Sequence, residues 1–384
     1  MGGASNLTSV EESGLGEVAG LFLRLGLTGF GGPAAHLGLM EREVVARRRW
    51  MSRESFLDLV GACNLLPGPS STQVAMALGY TRRGWLGLAT AGVCFITPAA
   101  LATLGLAWAY VKYGSLPQAQ GLLYGAKPAM MALIAQAVWK LGRTALKNKW
   151  LAGAGAACFA AALFGVAPLA VLLASGGVVL GVAWGRGKVS SRALGLTLLP
   201  VGAGGAGASA VGLMPLFLVF LKLGVVVFGS GYVLLAFLQR DLVDRLHWVT
   251  QGQLLDAVTA GQVTPGPLFA SATFLGYLIG GWSGAVAATG AIFLPSFLFA
   301  GVAAMLAGRI RRSALAGAFL DGVNVAAVAV MASVALTLGR AALVDGWTWG
   351  IGVVSVGLLI WTKVNPAWLI LGGALLGMAV HGLR

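Results

Sequence analysis

A Pro-Gly-Pro turn occurs twice in this chain, at Pro67-Gly68-Pro69 and at Pro265-Gly266-Pro267, 198 residues apart (265 − 67). Proline has no amide hydrogen and disfavours helix in the residue before it, so each turn must interrupt a helix that contains it. The other residues repeated at this offset include Gly26 with Gly224, Phe30-Gly31 with Phe228-Gly229, Arg42 with Arg240, Trp50 with Trp248 and Asp58 with Asp256. A half-length repeat with one broken helix in each copy is typical of secondary transporters that bind substrate at mid-membrane.

Composition places the chain in a membrane. It is 58% hydrophobic and only 10% charged, which is too apolar for a surface exposed to water. Apolar runs at 89–109, 152–184 and 347–361 approach or exceed the roughly 20 residues that a helix needs to cross a bilayer. We therefore predict an all-α polytopic membrane protein, multi-pass in the cell (inner) membrane, with the lipid bilayer as a partner.

Charge and motif content argue against other classes of protein. The net charge of +14 comes from short loops between apolar segments, which is the positive-inside pattern and does not indicate a nucleic-acid partner. The three cysteines lie in apolar runs and are interpreted as small core residues. There is no GxxxxGK[ST] loop, and the histidines, His36, His247 and His381, are scattered. We predict no enzyme activity, no cofactor and no metal.

Each half is predicted to contain the same elements in the same order. A spanning helix, about 17–30 or about 213–228, ends at a glycine-rich break that includes Gly31 and Gly32 or Gly229. A charged amphipathic stretch follows, then two half-helices that meet at the Pro-Gly-Pro turn as a re-entrant hairpin, then four apolar segments. The predicted domains are 1–192 and 213–384, joined by a Gly/Ala-rich linker at 193–212.

Basic residues change sides between the two halves. Residues 41–53 hold five arginines, and the first hairpin returns through Arg82 and Arg83. The second hairpin returns through the uncharged stretch 280–283, and the helix after it ends at the basic run 309–312. The positive-inside rule then predicts two inverted-topology repeats. If residues 193–212 span the membrane instead, the halves are parallel.

These motifs resemble the chromate ion transporter family. The resemblance rests on Phe22 to Gly26 leading into Gly29-Phe30-Gly31-Gly32-Pro33, Asn64 to Pro69 with Gln73, Leu78-Gly79-Tyr80, and, in the second copy, Gly261 to Pro267 and Ala272 to Tyr277. It covers nearly the whole chain, in the two-domain arrangement of the family's long members. The resemblance implies efflux of chromate, a tetrahedral dianion similar to sulfate, and resistance to chromate.

The candidate substrate site is the set of polar residues around the two turns. Its neutral members are Asn64, Gly68, Ser70, Ser71, Thr72 and Gln73 at the first turn, and Gln262, Thr264, Gly266, Ser271 and Thr273 at the second. The half-helix after each turn presents unpaired N–H groups and the positive end of its dipole, which suits an anion. The alternative is that the turns, built on Pro67, Pro69, Pro265 and Pro267, only shape the fold while the serines bond to helix carbonyls.

Two cations and two carboxylates also repeat. Arg24 and Lys222 occupy matched positions and are candidates to neutralise a dianion between the halves. The alternatives are snorkelling to a nearby interface or pairing with Asp58 or Asp256. Asp58 and Asp256 are candidates for proton coupling or for holding those cations; alternatively, they only offset a helix dipole. His36 has no counterpart in the second copy, so we expect an ordinary polar contact there.

The sequence therefore predicts a secondary transporter that exports chromate by alternating access. A sulfate or other oxyanion transporter, working in either direction, is the alternative. Faces of small residues permit a homodimer without requiring one.

Overall fold

The computed structural model describes residues 14–185, 212–228, 231–310, 314–362 and 364–382. Within these ranges the regular secondary structure is helical and contains no strand, which confirms the predicted all-α class. Five helical stretches among them are long and apolar enough to cross a membrane: Ser70–Tyr113, Pro117–Ala145, Pro168–Gly185, Leu268–Met305 and Gly317–Ala342. The chain is therefore a multi-pass membrane protein. Gly229 and the predicted linker, apart from Gly212, lie outside the described residues.

The order of helices is the same in both halves. The first half contains α1 (Leu15–Thr28), α2 (Pro33–Glu41), α3 (Arg53–Asn64), α4 (Ser70–Tyr113), α5 (Pro117–Ala145), α6 (Lys149–Leu163) and α7 (Pro168–Gly185). The second contains α8 (Leu213–Val226), α9 (Leu234–Leu238), α10 (Gln251–Val263), α11 (Ser271–Ile310), α12 (Ala314–Ala342), α13 (Gly346–Trp361) and α14 (Pro366–Gly382). Four apolar segments follow each hairpin, counting the long arms of α4 and α11.

The predicted spans α1 and α8 are both short. Each has 14 residues, so at 1.5 Å per residue it extends about 21 Å, well short of a hydrocarbon core of about 30 Å. The chain then turns back: Gly31 and Gly32 have φ of 101° and 81°, and Arg48, beyond α2, lies 3.5 Å from Glu17 near the start of α1. The glycine-rich break thus ends α1 inside the protein, because it lets the chain reverse there.

The hairpin at each Pro-Gly-Pro turn has two short arms. The first hairpin consists of α3 and the part of α4 before a kink at Arg83–Gly84; the second consists of α10 and the part of α11 before a kink at Gly280–Gly281. Both kinks lie about four residues beyond the predicted ends at Gly79 and Gly276. The N-caps were predicted correctly, since the Ser52 and Thr250 side chains each accept a bond from the third helical residue, and Thr250 with Gln253 forms the expected capping box.

The long arms of α4 and α11 lie against each other in opposite directions. The Trp85 ring, at the start of the α4 long arm, packs directly on Gly301, far along the α11 long arm. Further along α4, Gly92 faces the Phe297 ring, on which a Cβ would lie at 2.9 Å. Corresponding elements that run antiparallel support the predicted inversion of the halves, which stays a prediction.

The last helices of each half pack on the other half. Helix α14 packs along α5, and α6 and α7 pack along α12. The α5–α14 contact is made where Gly125 meets Gly373 and Gly377, backbone to backbone. The corresponding α7–α12 contact brings Gly322 against Ser175 and Gly176, and the Ser175 hydroxyl donates to the Gly322 carbonyl at 2.8 Å. Because of this packing, α5 and α12 lie beside the two hairpins. They therefore border the space next to the hairpin tips.

Candidate oxyanion site

The tips of the broken helices meet at the centre of the protein. The Gly68 N–H donates to the Val227 carbonyl at 2.6 Å, and the Gly266 N–H donates to the Gly29 carbonyl at 2.7 Å. Each Pro-Gly-Pro turn therefore satisfies a carbonyl at the end of the first helix of the other half. The two glycine N–H groups join the halves in this conformation and are not directed at an open cavity.

The first turn is surrounded by buried polar side chains. Gln73 donates its Nε2 to the Pro67 carbonyl, inside the turn. Ser71 contacts His36, whose Nδ1 lies 3.3 Å from the serine Oγ and whose Nε2 lies 2.9 Å from the Gly29 carbonyl. His36 thus makes the ordinary polar contacts that were expected of it, and it ties the end of α1 to the first hairpin.

The second turn also has buried polar side chains around it. The Thr264 and Thr103 hydroxyls lie 3.2 Å apart, which links this turn to α4, and Thr273 lies 2.7 Å from Thr289. Five buried atoms near the two turns lack a hydrogen-bond partner among the described residues: Thr72 Oγ1, Gln73 Oε1, Gln262 Nε2, Ser271 Oγ and Ser296 Oγ. Unpaired buried polar atoms are costly. Their concentration at the hairpin tips is therefore what we would expect where water or a polar ligand binds.

The larger cavity, about 810 Å³, reaches the tips of the first half. Asn64 and Ser70 of the first hairpin line it, together with the start of α2 at Gly31, Pro33 and Ala34. The polar residues that complete its wall are Gln136, Lys140, Thr144 and Lys147 from α5 and its end, Tyr232 from the second half, Asp321 and Asn324 from α12, and Thr362. Lys147 and Asp321 form an ion pair of 2.6 Å across this wall.

The smaller cavity, about 370 Å³, lies at the other ends of the same two helices. Tyr110 and Gly114 of α4, Lys127 of α5, and Ala341 and Ala342 of α12 line it. The larger cavity touches α5 after Leu133 and α12 before Ala329, whereas the smaller touches α5 before Pro128 and α12 after Arg340. The two cavities are therefore separated along the axis of α5 and α12.

The predicted cations Arg24 and Lys222 line neither cavity. Lys222 binds Asp241 at 2.6 Å, and Arg24 lies 3.9 Å from Glu43, at the position that matches Asp241 in the first half. These ion pairs favour the predicted alternative of pairing with carboxylates, although the partners are not Asp58 and Asp256. Contact of the two cations with substrate stays a prediction.

Asp256 binds one cation and one hydroxyl of the first half. Its carboxylate lies 3.3 Å from Lys127 Nζ and accepts a bond of 3.1 Å from the Tyr110 hydroxyl. Asp58 occupies the matched position on α3 and is half-buried. Proton coupling by either residue stays a prediction.

Of the predicted site residues, Gly31, Asn64 and Ser70 line the larger cavity. Gly68, Ser71, Thr72 and Gln73 at the first turn and Gln262, Thr264, Gly266, Ser271 and Thr273 at the second are buried and line neither cavity. Sequence reasoning missed Gln136 and Lys140, which the structure places in the cavity wall. Their spacing of four residues on an apolar helix puts both on one face, and this was the available signal. Lys140 was interpreted only as part of a basic loop.

Comparison with known proteins identifies the family. The family model described as "Chromate transporter" matches residues 16–182 and 214–378. A chromate transport protein of Cupriavidus metallidurans is 33% identical over 94% of this chain and 92% of its own length. A probable chromate transport protein of Synechococcus elongatus is 33% identical over 87% of both chains, and a chromate transport protein of Pseudomonas aeruginosa is 32% identical over 94% of this chain. No solved structure matches.

Both copies of the repeated hairpin lie within the matched residues, and the curated relatives align along almost the full chain. This membrane protein therefore belongs to the chromate transporter family.

Proposed function

We propose that this chain is a secondary transporter that exports chromate from the cytoplasm, with the larger cavity as the entry site for the anion. One observation carries the proposal: Asn64 and Ser70 at the tips of the first hairpin line the same cavity as Lys140 of α5. The family and the printed names of the relatives support chromate as the substrate. We propose no catalytic role, and the homodimer and inner-membrane placement stay predictions.

The wall of the larger cavity suits a tetrahedral dianion. The starts of α2 and α4, at Pro33 and Ser70, both border it, and a helix N-terminus carries unpaired N–H groups and a partial positive charge. Lys140 adds a full positive charge, while Asn64 and Gln136 supply neutral donors. Oxyanions are bound in this way elsewhere, by helix N-termini combined with a cation.

The orientation follows from the basic residues around the cavity mouth. Lys140, Arg143 and Lys147 lie at the end of α5 on this side, and the positive-inside rule assigns such a face to the cytoplasm. The conformation described here is then open to the cytoplasm. The smaller cavity, at the opposite ends of α5 and α12, is then on the exit side.

Alternating access requires a path between the two cavities. The remaining predicted residues, namely Ser71, Thr72, Gln73, Gln262, Thr264, Ser271 and Thr273, are buried at the hairpin tips. In our proposal the Thr72 and Ser271 hydroxyls, which have no partner among the described residues, donate to the anion as the halves exchange positions. Export is favoured electrically, because moving a dianion out of a cell that is negative inside yields about 4.6 kcal/mol per 100 mV.

Export is tested by expressing the chain in a chromate-sensitive bacterium and measuring accumulated chromate at low and high sulfate. We expect cells with the wild-type chain to hold less chromate than cells with a Pro67→Ala/Pro265→Ala variant that still inserts in the membrane. Greater accumulation in the wild type would reverse the direction to uptake. Loss of the difference only at high sulfate would identify sulfate as a competing substrate.

The role of Lys140 is tested in proteoliposomes. Lys140→Gln removes the positive charge from the cavity wall, so we expect the KM for chromate to rise about tenfold or more, the loss of about 1.4 kcal/mol of binding. Arg143→Gln, one turn further along α5 and outside the cavity wall, is the matched control and should change the KM less than about threefold. Equal effects of both variants would contradict a specific contact.

A further inference from the structure

Lys127 is a cation that the proposed entry site does not use. It lies on α5 at the smaller cavity, where its side chain is 25% exposed. Its Nζ lies 3.3 Å from Asp256 Oδ1, and the Asp256 side chain is almost completely buried. The Tyr110 hydroxyl donates to the other carboxylate oxygen at 3.1 Å and also lines the cavity. The Lys127 ammonium thus contacts a buried carboxylate, while the lysine also borders the cavity.

Helix α5 presents one lysine to each cavity. Lys140 lines the larger cavity and Lys127 the smaller, 13 residues apart along α5 (140 − 127), which corresponds to about 20 Å of helix. The residue that matches Lys127 in the second half, 197 positions later (324 − 127), is Asn324, so the repeated fold does not itself require a cation here. A charge that the fold does not require and that borders a cavity is a candidate for ligand binding.

We propose that the smaller cavity contains a second oxyanion site in which Lys127 binds the anion. When no anion is present, Asp256 is the partner of the Lys127 ammonium. This inference rests on the proposed transport function. A buried ammonium without a partner is costly, so Asp256 keeps the exit neutral between transport events. An arriving dianion binds the N–H groups of the ammonium that face the cavity, while Asp256 keeps its contact with Lys127 and the hydrogen bond from Tyr110.

The volume and lining of the smaller cavity agree with this role. Its 370 Å³ lies within the range of pockets that hold small ligands. Gln120 and Tyr124 also line the cavity, but Gln120 donates to the Ser115 carbonyl and the Tyr124 hydroxyl donates to Asp345, so Lys127 is the residue of this wall that offers a positive charge. Such a site holds the anion by one charge, and this suits release from an exit better than the stronger binding that several cations would give.

The test uses chromate transport by the full chain in proteoliposomes. Lys127→Gln is expected to lower transport about tenfold or more, whereas Lys127→Arg should retain part of it. Lys112→Gln removes a cation that stacks on Trp108 and Tyr113 at the end of α4 and lines neither cavity. It is the matched control and should transport as the wild type does. Wild-type transport by Lys127→Gln would overturn the proposal.

A purely structural ion pair predicts a different result from the double variant. If Lys127 only neutralises Asp256, removing both charges in Lys127→Gln/Asp256→Asn should restore transport and stability. If Lys127 binds the anion, the double variant should remain as inactive as Lys127→Gln. Restored transport would overturn the second site.

Equilibrium dialysis of radiolabelled chromate against the purified protein separates this inference from the proposed function. Asp256→Asn frees Lys127, so it should bind one more chromate per chain than Lys127→Gln/Asp256→Asn. If that difference is found and the wild type transports no chromate, the transport proposal fails and the second site stands. If the wild type transports chromate but the difference is absent, the second site fails alone.

Discussion

Gly68→Ala and Gly266→Ala are each expected to abolish chromate transport and to destabilise the protein by about 2 to 6 kcal/mol, combining backbone strain with overpacking. Gly68 has a φ of 115° and Gly266 one of 96°, in a region that residues with a Cβ rarely adopt. A Cβ at Gly68 would lie 2.5 Å from Gln73 Nε2 and 3.0 Å from Ser296 Oγ, and one at Gly266 would lie 2.7 Å from the Ala99 Cβ. If a turn shifted to relieve its close contact, the hydrogen bond between that turn and the other half would break.

The measurements are transport in proteoliposomes and the thermal midpoint of the detergent-solubilised protein. Gly61→Ala is the matched control, because Gly61 lies on α3 in the same hairpin and a Cβ there meets no atom within 4 Å. It should be neutral or slightly stabilising, since alanine favours helix over glycine by about 1 kcal/mol. Transport near the wild-type level by both turn variants would show that the turns tolerate a change of shape.

Gly125→Ala is expected to prevent stable packing of α5 against α14. A Cβ at Gly125 would overlap the carbonyl oxygen of Gly373 and the backbone of Gly377. Neither neighbour is a flexible side chain, so the helices must separate, and the cost is at least about 3 kcal/mol. Size-exclusion chromatography after heating should show the thermal midpoint lowered by about 5 °C or more.

The control for this variant is Gly372→Ala, which changes the residue next to Gly373 on α14. Gly372 is exposed, and a Cβ there meets nothing within 4 Å. Because neighbouring positions on a helix point about 100° apart, this variant leaves the α5 contact intact. A thermal midpoint for Gly125→Ala as high as that for Gly372→Ala would contradict the backbone contact.

Local features of the sequence predicted the helices well. The turns at Gly68 and Gly266 and the caps at Ser52 and Thr250 followed from short motifs, whereas Pro98, Pro128 and Pro295 lie inside helices and break none of them. Hydropathy alone does not decide whether α1 crosses the membrane, because a run of apolar residues has the same composition whether it crosses a membrane or ends inside a protein. Only the return of the chain, seen in the Glu17–Arg48 contact, reveals the difference.

The partners of the charged residues were the least predictable part. Pairing with Asp58 or Asp256 was one alternative for Arg24 and Lys222, but they pair with Glu43 and Asp241, which directly follow α2 and α9 on π-helical segments. Lys127 reaches Asp256 across 129 residues of sequence (256 − 127), through packing of α5 against α10. Pair interactions depend on side-chain positions in three dimensions, and a spacing along the chain does not contain them.

The sequence by itself determined that this is a helical membrane protein of two similar halves, each broken at a Pro-Gly-Pro turn, because bilayer solvation and proline chemistry act on residues one at a time. The tertiary structure alone decided that each turn bonds to the other half, that α5 and α12 border both cavities, and that one lysine of α5 faces each cavity. These features arise from contacts between distant segments, which form only when the two halves pack together.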